Sequence, residues 1–97
     1  MQLVQAVYQM TSSFPSEELY GLAQQMRRAA VSIPSNIAEV AGRNGTKEFL
    51  NFIGISRGSL AELETQLQLA VMLGFAKPDH AAFELANSTG KLLLRFT

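Results

Sequence analysis

The chain has no cysteine, no tryptophan, one histidine and three prolines. Without cysteine there are no disulfides and no thiolate chemistry. A metal site needs several ligands at suitable spacing, and His80 stands alone. Asp79 is only its chain neighbour, which does not make a catalytic dyad, and no nearby serine has a base placed to activate it. The expectation is a non-enzymatic protein with no metal and no cofactor, in which His80 is an exposed residue at a helix start. No apolar run approaches the roughly 18 residues that span a bilayer. No secretory signal pattern is visible, so no membrane is expected and the chain reads as cytoplasmic.

Charge is also scarce. Only 16% of the 97 residues are charged, whereas 47% are hydrophobic; about 25% charged is usual. So small a domain has much surface to cover and few charges to cover it with. A homo-oligomer is therefore expected, with apolar surface shared between copies. Eight basic and eight acidic residues cancel, so overall charge does not point to nucleic acid. The cations are uneven, however. Arg27, Arg28, Arg43, Lys47 and Arg57 crowd the central third, and an arginine-rich rim of Arg28, Arg43, Lys47 and Arg57 is the candidate nucleic-acid surface.

What is present is helical periodicity throughout. A first helix is predicted over Gln2 to Thr11, ended by Ser12-Ser-Phe-Pro15, because proline disfavours helix in the residue before it. A second is predicted from Ser16, with Ser16 as N-cap and Glu17 and Glu18 at the positive end of the dipole. Its stripe is Leu19, Leu22, Met26, Ala29, Ile33 and Ile37. Pro34 lies inside that stripe, where it lacks an N–H and crowds the Ala30 carbonyl. The helix must kink or restart there, and the in-phase stripe favours a kink. Gly42-Arg-Asn-Gly45 reads as a plain turn, with Thr46 capping the next helix.

The third helix is the clearest. Phe49, Ile53, Ser56, Leu60, Leu63, Leu67 and Ala70 make a bundle seam. A second row, Phe52, Ile55, Ser59, Glu62, Gln66, Leu69 and Leu73, is apolar at its ends and polar in its middle. Gly74 is placed to end the helix. Pro78 suits the first turn of a fourth helix, whose stripes are Ala82, Leu85, Thr89, Leu92, Phe96 and Phe83, Ala86, Gly90, Leu93. The fold class is all-α, an antiparallel up-down four-helix bundle in a single domain spanning 1–97, with the second helix kinked at Pro34.

The polar residues inside these stripes read as a structural network: Arg27, Ser32, Asn36, Glu39, Glu62 and Gln66. Arg27 is expected to pair with Glu39, Glu62 or Glu64. Gln66 can donate to a carbonyl freed by Pro34, whereas a Glu62 carboxylate cannot. Ser32, Ser35 and Asn36 are expected to bond backbone groups around the proline. Gly54, Gly58 and Ser59 form a small surface for close helix packing, within the chain or against another copy.

One pattern goes further. Phe14-Pro15, Glu18, Tyr20-Gly21-Leu22, Gln25-Met-Arg-Arg-Ala-Ala30, Ser32-Ile-Pro-Ser-Asn-Ile-Ala-Glu39, Arg43, Phe49, Gly58-Ser-Leu60, Glu62-Leu-Glu64, Gln66-Leu67, Leu69-Ala70 and Leu73-Gly74 together resemble the 23S rRNA-intervening-sequence proteins. They are also similar to the accessory proteins of diversity-generating retroelements. The resemblance covers roughly residues 8–75. It implies a four-helix bundle that assembles as a homopentamer without enzymatic activity. It also implies a self-assembling scaffold or adaptor whose candidate cargo is RNA or an RNA-processing or reverse-transcriptase partner. The other reading is a purely structural homo-oligomer that acts through protein contacts and binds no nucleic acid. Two departures stand out: Val40 replaces the family's usual glycine, and the first helix and C-terminal tail look short for the family.

Overall fold

The computed structural model describes residues 1–40 and 45–96, and among these it contains four α-helices and no strand. The turn expected at Gly42-Arg-Asn-Gly45 falls outside the described residues except for Gly45.

Helix α1 spans Gln2–Thr11 and buries Leu3, Ala6, Val7 and Met10. These positions recur every three or four residues, which puts them on one face. Serine side chains take up the carbonyls at its end: Ser12 Oγ donates to Gln9 O at 2.7 Å and Ser13 Oγ to Met10 O at 2.9 Å.

The next stretch departs from the sequence expectation. Ser16–Glu18 is a 3₁₀ turn, and α2 runs only from Leu22 to Val40. Ser16 is thus not the N-cap of α2. The tight bonds Glu18 N to Pro15 O, Leu19 N to Ser16 O and Gly21 N to Glu18 O take over instead. Such i→i+3 bonding turns the chain by about 120° per residue instead of 100°. Leu19 therefore falls out of phase with the stripe and is 43% exposed. The centre of the stripe holds, with Met26, Ala29 and Ile33 buried alongside Ala23 and Ala30, while Ile37 is exposed near the far end. Helix α2 continues through Pro34.

Helix α3, Thr46–Met72, buries Ile53, Ser56, Leu60, Leu63, Leu67 and Ala70, with Phe49 packed at the edge of the core. Its N-cap is Gly45, so Thr46 lies inside the helix. Its end is a Schellman motif: Phe75 N donates to Ala70 O at 2.8 Å and Gly74 N to Val71 O at 3.0 Å. This geometry places Gly74 at φ +79°, which is why glycine is needed. Helix α4 spans Ala81–Leu94 and starts after Pro78, not around it. His80 is its N-cap and is half-buried, its Nδ1 accepting from Ala82 N at 3.1 Å.

Helix α1 packs on α2, α2 on α3, α3 on α4, and α4 back on α1. This closed ring makes a four-helix bundle about one core. At 27 residues, α3 is about 40 Å long, nearly the full 44 Å of the molecule. Two aromatic pairs join elements far apart in the chain, the first between the α1–α2 and α3–α4 connections and the second between α3 and the end of α4. Phe14 meets Phe75 at 5.4 Å, and Phe49 meets Phe96 at 5.6 Å.

Candidate functional site

The ring of helices leaves grooves between neighbours, and the candidate residues distribute among them. Arg28 is exposed and lines the groove between α1, the 3₁₀ turn and α2. Arg57 is exposed and lines the groove between α3 and α4, beside Glu64 and Lys91. In a closed four-helix ring these two grooves lie on opposite sides. Lys47 is exposed in the first turn of α3. Arg43 lies outside the described residues. A single chain therefore does not gather Arg28 and Arg57 into one patch.

The six polar residues separate into local groups. Among the described residues Arg27 takes no carboxylate. Its Nε donates to Thr11 Oγ1 at 2.8 Å, and its guanidinium lies 4.7 Å from the centre of the Tyr8 ring. Thr11 donates in turn to Val7 O at 2.8 Å. Arg27 faces α1 and is only half-buried. Water still screens it, so the charge needs no acidic partner.

Ser32 and Asn36 form a second group with Ser59. The Ser32 and Ser59 hydroxyls are 2.8 Å apart, joining α2 to α3. Asn36 Nδ2 donates to Ser32 O at 2.8 Å and to its Oγ at 3.0 Å. Beside Pro34, Ser35 Oγ donates to Val31 O at 2.8 Å. Buried Ser56 reaches across from α3 to Ile33 O at 3.1 Å.

Glu62 and Gln66 form the third group. Gln66 Nε2 donates to Glu62 Oε1 at 3.2 Å rather than to a carbonyl at the proline. Gln66 is 5% exposed, and its Oε1 has no partner. Glu39 is exposed near the end of α2.

Gly54 and Gly58 are exposed, and a Cβ at either would meet nothing within 4 Å. They do not serve close packing inside the chain. That role falls to Gly90, whose Cβ would sit 3.3 Å from Leu60 Cδ2. Around them the outer face of α3 is uncovered. At 100° per residue, Gly54, Ile55, Gly58, Ala61, Leu69 and Met72, with the C-cap Leu73, share one face opposite the buried seam, and every one of them is exposed, as are Glu62 and Thr65 on the same face.

The hydroxyls of Ser12, Ser13, Ser35 and Ser56 bond to carbonyls, and those of Ser32 and Ser59 bond to each other; none of these bonds involves His80. Among the described residues no three His, Asp or Glu side chains gather as a metal site would require. No described helix is long and apolar enough to cross a membrane. The arrangement offers cations, two exposed tyrosines and a largely apolar face on α3. Sequence reasoning missed Thr11, Tyr8 and Tyr20. The available signal was Pro15 and Gly21, which bracket a segment too short for a helix and so put Tyr20 on a turn.

The sequence profile of one protein family, described as 23S rRNA-intervening sequence protein, matches residues 1–94. No curated protein matches the chain.

Proposed function

The chain belongs to the 23S rRNA-intervening sequence protein family, and from that premise we propose that it is a non-enzymatic, self-assembling scaffold that carries RNA or an RNA-processing partner. The observation that carries this reading is the outer face of α3. Met72 is 81% exposed, and Ile55, Leu69 and Leu73 are exposed beside it. Covering such partly exposed side chains stabilises an assembly by roughly 1 kcal/mol each. Gly54 and Gly58, with open space above them, let a second helix approach closely. By the resemblance to the family, the assembly is proposed to hold five copies.

The separation of Arg28 from Arg57 bears on the cargo. Within one chain they face opposite ways, so a basic rim arises only when neighbouring copies bring their grooves together. Arg28, Lys47 and Arg57 are all exposed and suited to phosphate.

Light scattering at low and high salt, with and without a structured RNA, tests the reading. The expected result is an oligomer that survives high salt, because its contacts are apolar, and gains RNA mass only at low salt. A salt-stable oligomer that ignores RNA leaves a protein adaptor. A monomer under all conditions overturns the scaffold.

A further inference from the structure

The groove between α1, the 3₁₀ turn and α2 has a volume of about 630 Å³, within the range of small-ligand sites. Its lining includes Tyr8, Tyr20, Arg27 and Arg28 and no acidic residue. Tyr20 is 85% exposed, a large aromatic face without cover. Arg27 is held in place by Thr11 and by the Tyr8 ring. Among the described residues its hydrogen bond is made through Nε, which leaves the terminal N–H groups as donors. Glu18, the nearest acid along the chain, places its carboxylate 3.4 Å from the Leu22 amide and is not part of the lining.

We infer that this groove binds one unit of single-stranded nucleic acid, its base stacked on Tyr20 and its phosphate held by Arg27 and Arg28. Two guanidiniums without a carboxylate call for an anion. An open aromatic face beside them calls for a planar ring, and sequence-tolerant binding of single strands combines those two features. An acidic peptide would satisfy the arginines and leave Tyr20 bare. A duplex would keep its bases stacked away from the ring. Gln24, half-buried in the same lining, supplies an amide for a base edge. The inference rests on the RNA-carrying part of the proposed function, and it names a site that the rim of Arg28, Arg43, Lys47 and Arg57 does not.

The chain carries its own reporter. It has two tyrosines and no tryptophan, and both tyrosines line this groove. Intrinsic fluorescence therefore reads this groove selectively. The probes are an eight-nucleotide adenosine-rich RNA and an abasic oligomer of equal charge. The intact RNA should quench tyrosine emission and bind roughly ten-fold more tightly than the abasic oligomer. Tyr20→Ala should lose that factor, and Tyr20→Phe should keep it. Arg28→Glu should weaken binding and reduce the slope of log affinity against log salt by about 0.7, the share of one single-strand phosphate. Tyr20 and Arg28 are exposed, so these variants should fold. Equal affinity for the two oligomers, a silent Tyr20→Ala, or no binding at all overturns the groove. Native mass, measured on the same samples, separates the two proposals. An oligomer whose RNA binding is lost in Lys47→Glu/Arg57→Glu but kept in Tyr20→Ala preserves the scaffold without the groove. A monomer that still shows quenching preserves the groove without the scaffold.

Discussion

Replacing both glycines on the outer face of α3 by alanine should stabilise the isolated chain and weaken its assembly. Glycine inside a helix costs about 1 kcal/mol relative to alanine, because it gives up more backbone freedom on folding. At Gly54 and Gly58 the added Cβ meets nothing within 4 Å, so no clash offsets that gain. The sites are one turn apart on the same face, where the two new methyls are neighbours, so the two single gains bound the effect of Gly54→Ala/Gly58→Ala at about 2 kcal/mol. For a domain of this size each kcal/mol moves Tm by about 4–8 °C. Gly90→Ala is the internal control. It gains the same backbone term, but its Cβ would sit 3.3 Å from Leu60 Cδ2, so Leu60 must shift and the net gain should be smaller than at either outer site. Urea unfolding over a dilution series gives the readout. An assembling wild type should show a midpoint that rises with protein concentration. The double variant should be more stable at the dilute end, show less concentration dependence and have a lower native mass. A loss of stability in dilute solution would refute the packing argument. An unchanged mass would remove the two glycines from the interface.

Other outcomes follow from single contacts. Gln66→Met removes a buried oxygen that has no partner and leaves exposed Glu62 to water. It should raise the unfolding free energy by about 1 kcal/mol in urea, and a loss would mean that the oxygen is satisfied. Thr11→Val deletes the acceptor of Arg27 Nε and the hydroxyl bonded to Val7 O. It should cost about 1 kcal/mol by the same assay, and Arg27→Met in that background should cost less than it does alone. His80→Ala removes the cap of α4 and should cost about 1 kcal/mol, with most of it regained in His80→Asn; equal stability of the two variants would rule out the capping role.

Much of the fold was legible before any packing was known. The bounds of α1, the buried seam of α3 and the glycine that ends α3 follow from a period near 3.6 and from the conformations that proline and glycine allow. Those are local properties, carried by residues within a few positions of one another. The start of α2 was less legible. Ser16 with two following glutamates fits a helix cap, yet three i→i+3 bonds and Gly21 postponed the helix to Leu22.

The sequence by itself determined that the chain forms four helices and where α1 and α3 stop, because those stops are set by proline and glycine close by in the chain. It did not determine which faces those helices share. Both rows of α3 carry large apolar side chains, and closure of the four-helix ring buried the first while leaving Ile55, Leu69 and Leu73 of the second in solvent. The partner of Arg27 was likewise a question of which helix lay opposite, and α1 supplied Thr11 and Tyr8 where Glu39, Glu62 or Glu64 was expected. The groove depends on the same arrangement. Tyr8 and Tyr20 stand on separate elements with Phe14-Pro15 between them, and only the docking of α1 on α2 sets both rings beside the two arginines. Periodicity tells a helix which side is apolar; which neighbour covers that side, and what remains open beside it, is decided by contacts between residues far apart in the chain.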